Sequence, residues 1–147
     1  MWTNDKSLKL SILSVKLFFV VGIVFAFAGV PIAKMYLTYI QRREALLTLL
    51  ITGYICLLIA FFIFTSLYKL LCNIQQEQVF CDENITYLRK LSWLCFMVAL
   101  ITCIASIGFP SFLLVAIVFA FIALILRVVK NVMAQATLIK QENDFTI

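Results

Sequence analysis

Histidine is absent from the chain. With it goes the commonest general base and metal ligand. Charge is scarce too: Asp, Glu, Lys and Arg make up 13% of the 147 residues, where a soluble domain carries roughly 25%. Residues 17–33, 45–68 and 91–126 contain no charge at all. Proton-coupled transport usually needs a carboxylate or His within the bilayer, so the composition disfavours a proton-driven pump. Small multidrug transporters carry an acid in the first span, where this chain has Lys16. Paired cysteines are missing as well. Cys56, Cys72, Cys81, Cys95 and Cys103 form no C-x-x-C motif, and Cys72 and Cys81 fall in a segment expected on the reducing side, where disulfides are rare. A metal site from Cys72, Cys81 and Asp82 would lack both His and a close Cys pair. The expectation is a protein that is not an enzyme and has no catalytic residue, cofactor or metal.

What is present is apolar. Hydrophobic residues reach 65% and mean hydropathy is +1.11. A helix rises ~1.5 Å per residue and the hydrocarbon core is ~30 Å thick, so ~20 apolar residues cross it. Residues 91–126 are too many for one crossing, and Gly108-Phe109-Pro110-Ser111 supplies a turn, because Gly permits positive φ and Pro lacks a donor. One long tilted helix is the alternative. The sequence thus predicts an all-α, integral membrane four-helix bundle forming a single domain over residues 1–147. Its spans are expected at 10–30, 46–71, 91–107 and 111–129, with Pro31 ending the first. The basic start and the apolar run after it resemble a secretory signal. That run exceeds a signal's ~7–15 residues, so cleavage is not expected.

Lys and Arg orient the spans. One side would hold Lys6, Lys9, Lys16, Lys69, Arg89, Lys90, Arg127, Lys130 and Lys140, and the other only Lys34, Arg42 and Arg43. The excess predicts that both termini, loop 72–90 and tail 130–147 are cytoplasmic in a multi-pass protein of the plasma membrane, the bacterial inner membrane. The net charge of +5 belongs to this pattern, and no direct nucleic-acid binding is expected. The outer segment 32–44, with Met35, Tyr36, Leu37, Tyr39 and Ile40, reads as an interfacial aromatic belt.

In the cytoplasmic loop, Val79-Phe80-Cys81 is an apolar patch among polar residues. Asp82 is a candidate N-cap, with Glu83 favourably placed for the next helix dipole. In the tail, Val129, Val132, Met133, Ala136 and Ile139 recur at helical spacing, so the fourth span should continue into the cytoplasm. The last residues, 142–147, read either as a frayed end or as an acidic-apolar element. Gly22, Ala26 and Gly29, Ala99 and Cys103, and Ala116 and Ala120 follow small-xxx-small spacing. Contacts within the bundle are the simpler reading, and a homo-oligomer the alternative.

Val79-Phe80, Glu83-Asn84 and Tyr87-Leu88-Arg89, with Ala136, Leu138 and the ending Glu142-Asn143-Asp144-Phe145-Thr146-Ile147, resemble the loop signature and closing pattern of a family. Its members are small four-pass membrane proteins of unknown function from Gram-positive bacteria. They are often encoded beside a Cro/CI-type helix-turn-helix regulator, and some are linked to lantibiotic immunity. The resemblance implies a non-enzymatic membrane protein that tethers such a cytoplasmic DNA-binding regulator. Bacteriocin immunity or envelope-stress protection is the alternative, and a small transporter component a weaker one. The partner-contact residues it singles out are Phe80, Asp82 and Asn84 in the loop, and Glu142, Asn143, Asp144, Phe145 and Ile147 in the tail. The lipid bilayer is the remaining partner.

Overall fold

A computed structural model of the protein describes residues 4–145. Four helices run through it: α1 (Asn4–Tyr39), α2 (Leu46–Gln75), α3 (Asp82–Ala105) and α4 (Phe112–Phe145), with a short 3-10 turn at Arg43–Ala45. Among the described residues there is no strand. All four helices are long and apolar enough to cross a membrane, and the protein has multi-pass membrane architecture. In hydrocarbon every backbone N–H and C=O must find a partner inside the segment, so the apolar runs fold as helices whatever their intrinsic propensities.

Side-chain contacts fix the register. Phe18 stacks on Phe64 at 5.8 Å, and the Tyr54 hydroxyl donates to the Ala26 carbonyl at 2.9 Å, so α1 and α2 are antiparallel. The Asn73 amide meets Asn84 near one end of α2, and Thr48 lies against Gly108 near the other, so α3 returns along α2. The Ser92 hydroxyl donates to the Ala123 carbonyl at 2.9 Å, which aligns α4 against α3. The topology is up-down-up-down. Neighbours in sequence are neighbours in space, and α1 makes no backbone approach to α4 among the described residues.

This register also aligns the charges. Lys16 sits over the Tyr68 ring at 5.9 Å, Lys90 over Tyr87 at 5.8 Å and Arg127 over Trp93 at 5.4 Å. The three cation–π pairs fall at one level of the bundle. Such amphipathic groups suit a headgroup boundary. Lys34 is 18 positions beyond Lys16 on α1, a rise of about 27 Å. That height is close to the ~30 Å hydrocarbon core.

Three local features depart from the sequence reading. Pro31 does not end α1, which continues to Tyr39. Proline removes one backbone donor and strains one turn, whereas a lipid-exposed loop would leave several groups unpaired. The expected interfacial segment 32–44 is therefore mostly helix, and the true connection begins at Ile40. Gly108 takes no positive φ. A Cβ there would lie 3.3 Å from Thr48 Cγ2, so glycine serves the close approach of α2 to the hairpin. The third concerns the cap of α3: its N-cap is Cys81, in extended conformation, and Asp82 is the first helical residue. Gly22 and Gly29 face α2, against the Phe61 ring and the Tyr54 hydroxyl; they let α1 and α2 pack closely.

Two compact clusters hold the bundle, one at each end. At the α1–α2 turn, Leu37, Ala45 and Phe109 are buried together, with Leu49 and Phe112 against them. At the α2–α3 turn, Leu70, Leu88 and Leu91 are buried, with Ile74, Leu126 and Met133 around them. Between the two clusters α3 and α4 stay packed, with Ser92, Cys95, Val98, Ala99, Thr102, Ala116 and Ala123 buried, while α1 and α4 stand apart among the described residues.

Candidate functional site

The α2–α3 connection carries the loop residues singled out from the sequence. Helix α2 stops in a six-residue wrap. Glu77 adopts φ 61°, its N–H donates to the Ile74 carbonyl at 3.1 Å, and the Gln78 N–H donates to the Asn73 carbonyl at 3.0 Å. These are the two bonds of a Schellman C-cap, made here with Glu where glycine is usual.

Asn84 closes the loop. Its amide nitrogen donates to the Gln78 carbonyl at 2.7 Å and to the Val79 carbonyl at 2.9 Å. Its side-chain oxygen accepts from the Asn73 amide at 3.0 Å. Asn84 is 0% exposed. One side chain thus satisfies two carbonyls of an irregular segment and ties them to the last turns of α2. The Asn73 amide also reaches Glu83 Oε2 at 3.4 Å. Among the described residues no buried polar side-chain atom is left without a partner, as a buried polar site requires.

Of the residues expected to meet a partner, Phe80 and Asp82 are exposed on this loop. Phe80 keeps 43% of its surface exposed although it is aromatic and sits among polar residues. Asn84 does not belong with them, because it is wholly interior and its hydrogen-bonding capacity is used within the chain. Asn73 was missed. In sequence it is one polar residue among several at the start of loop 72–90. The available signal was a pair of asparagines flanking a turn, with an apolar patch between them.

Tail residues Glu142 and Asn143 are exposed at the end of α4, which stays helical to Phe145. The tail is therefore an ordered helix rather than a frayed end through that point. Ile147 lies outside the described residues, as do the side chains of Asp144 and Phe145. With Ser92 beside Ala123, Asp82 falls level with about residue 133. Glu142 then stands about 14 Å further along the axis. Loop and tail share one end of the bundle at different heights. Thr137 is buried, so the bundle covers α4 beyond the start of α3.

Toward the other end lies a cleft of about 550 Å³ between α1 and α4, floored by α2 and α3. Phe25, Tyr36, Leu57, Val98 and Phe119 are among its walls. Its lining is almost wholly apolar, and it sits at hydrocarbon depth. Its chemistry suits an acyl chain or an apolar side chain. Among the described residues no three His, Cys, Asp or Glu side chains are grouped to hold a metal ion.

A family model matches residues 6–147, nearly the whole chain. The chain belongs to the DUF2975 family. The family is described as proteins of unknown function, so membership fixes kinship and leaves activity open. No curated protein and no solved structure matches the chain. The family assignment is consistent with a small, four-helix, apolar membrane protein.

Proposed function

We propose that this DUF2975 protein is a non-enzymatic membrane anchor that docks a soluble cytoplasmic regulator on its α2–α3 loop and the end of α4. The single observation that carries the reading is the Asn84-locked loop. It holds an exposed Phe80 beside two acidic residues, in a fixed backbone, where loops of this length are ordinarily mobile. A preformed apolar anchor with adjacent charge has the character of a protein contact, since ordering costs are already met. A cytoplasmic orientation of this end is supported by its nine Lys and Arg against three at the other. A helix-turn-helix regulator is the partner we propose. Its basic DNA-facing surface would complement Asp82, Glu83 and the tail acid Glu142, chiefly raising specificity and on-rate.

Affinity purification of the intact protein from solubilised membranes tests this. The expected result is a soluble partner that is lost on Phe80→Ala and on deletion of residues 142–147, while both variants insert normally. Raising salt should weaken capture, because exposed charges are screened. Absence of any soluble partner, or its full retention by both variants, overturns the reading. Phosphatase and fluorescent fusions at the C-terminus check the orientation.

A second reading is favoured by the apolar cleft. A membrane-active peptide that lodges an apolar side chain there would be sequestered, which is the physical content of an immunity function. Cells expressing the protein would then survive such a peptide, and Gly53→Leu, at the cleft wall, would abolish that protection.

A further inference from the structure

Helix α4 carries a heptad repeat on the face it turns away from the bundle. Leu114, Val118, Phe121, Ile125, Val128, Val132, Gln135 and Ile139 follow one another at alternating spacings of four and three. All eight are exposed. In heptad terms Val118, Ile125, Val132 and Ile139 occupy a, and Leu114, Phe121, Val128 and Gln135 occupy d. Every a position is β-branched, which is the a-position preference of two-stranded parallel coiled coils; their usual Leu at d stands here only at Leu114.

The opposite face obeys the same period. Ala116, Ala123 and Thr137, all at f, are buried, and Lys130, the f position between them, is half-buried. Burial at a strict seven-residue interval means that α4 winds around its neighbour at 3.5 residues per turn. The exposed seam therefore stays on one side along the whole helix instead of drifting round it.

Inside the bilayer an exposed apolar side chain can simply face lipid. Past Arg127 that explanation ends. Gln135 and Ile139 stand about 12 and 18 Å beyond Arg127 along the axis, past the few ångströms of headgroup on that side. Ile139 remains 60% exposed there, and Leu138 flanks it. Charge decides the occupant. Two copies inserted the same way must meet parallel, so each seam residue faces its own counterpart at equal height. A charged residue on the seam would confront itself. Between Leu114 and Ile139 no a, d, e or g position is charged, and Arg127 and Lys130 fall at c and f. The next d position is Glu142, which would confront its counterpart, so the seam ends at Ile139 although α4 continues to Phe145.

We infer that α4 is the interface of a parallel homodimer, a coiled coil that begins in the membrane and continues into water on the side of the α2–α3 loop. Gln135 is its one polar d residue, and pairing with its counterpart fixes the register. The inference does not depend on the docking of a regulator.

Single cysteines placed in a background lacking the five native ones, then oxidised in native membranes, test it. Val132→Cys, Gln135→Cys and Ile139→Cys should give covalent dimer, and Ala134→Cys and Gln141→Cys, at c, should give little. A flat pattern, or no dimer at any position, overturns the inference. So does cross-linking of the seam cysteines only to another protein. A second measurement avoids the cysteine-free background: energy transfer between labelled copies in lipid vesicles. Val132→Lys with Ile139→Lys should weaken dimerisation at least about tenfold without impairing insertion, since both residues lie beyond the hydrocarbon. Unchanged transfer in that variant counts against the seam.

Discussion

The two ends of the bundle solve one problem in different ways. At each, a long helix must stop, reverse and begin again. Helix α1 stops with Gln41 at φ 56° and α2 with Glu77 at φ 61°. At both, the next N–H reaches back five residues: Arg42 to the Leu37 carbonyl at 3.0 Å, and Gln78 to the Asn73 carbonyl at 3.0 Å. The backbone device is the same. What covers it differs. The first turn is sealed by apolar packing of Leu37, Ala45 and Phe109. The second is tied by Asn84 through hydrogen bonds, above the leucine cluster. A plug of side chains closes a turn without shaping its outer surface. A buried amide that grips two carbonyls fixes the backbone itself, and with it the direction of Phe80. That difference is why the docking surface proposed above is placed on the second turn and not the first.

The largest effect should come from breaking the polar lock. Asn84→Asp replaces two donors with a carboxylate facing the Gln78 and Val79 carbonyls. Leaving buried polar groups unsatisfied costs about 1–3 kcal/mol each, so a loss of roughly 3 kcal/mol or more is expected. Denaturation in mixed micelles measures it. Asn73→Ala should cost less, because Asn84 keeps both of its bonds to the loop.

Breaking the apolar plug should cost somewhat less than Asn84→Asp. Phe109 is buried and meets Tyr36 and Phe112 edge-on. Phe109→Ala in a water-soluble core would cost about 3–5 kcal/mol. Lipid is as apolar as the protein interior, so the transfer part of that cost shrinks and lost packing remains. A loss of about 2 kcal/mol is expected in the same assay, with loop 76–81 undisturbed.

The smallest effect should be common to both ends. Gln41→Gly and Glu77→Gly each relieve a left-handed conformation that costs a residue with a Cβ roughly 1 kcal/mol. Both should stabilise, by similar amounts of about 0.5–1 kcal/mol. Unequal gains would show that the two caps are not equivalent.

Much of the fold could be read from where charges are missing, because a bilayer forces apolar runs of that length into helices. Orientation of residues around those helices was less accessible. Pro31 looked like a terminus by rules drawn from water, where an interrupted helix has solvent to fall back on. Asn84 looked like surface, because asparagine beside Asp82 and Glu83 in a polar loop has no local mark of burial. Its role depends on carbonyls five and six residues away and on Asn73 across the turn. Such a role is set by the backbone path, which spacing alone does not define. Phe80 stood out for the opposite reason: an aromatic among polar residues is conspicuous in sequence, and it is exposed in the structure.

One buried amide, that of Asn84, holds the α2–α3 loop in a single form, and the other turn is independent of it. Hydrogen exchange of backbone amides in lipid nanodiscs, comparing the protein with its Asn84→Ala variant, tests this most directly. The Glu77 and Gln78 amides should exchange at least about tenfold faster in the variant, and the Gln41 and Arg42 amides should not change. Unchanged protection at Glu77 and Gln78, or an equal loss at both turns, would contradict the account.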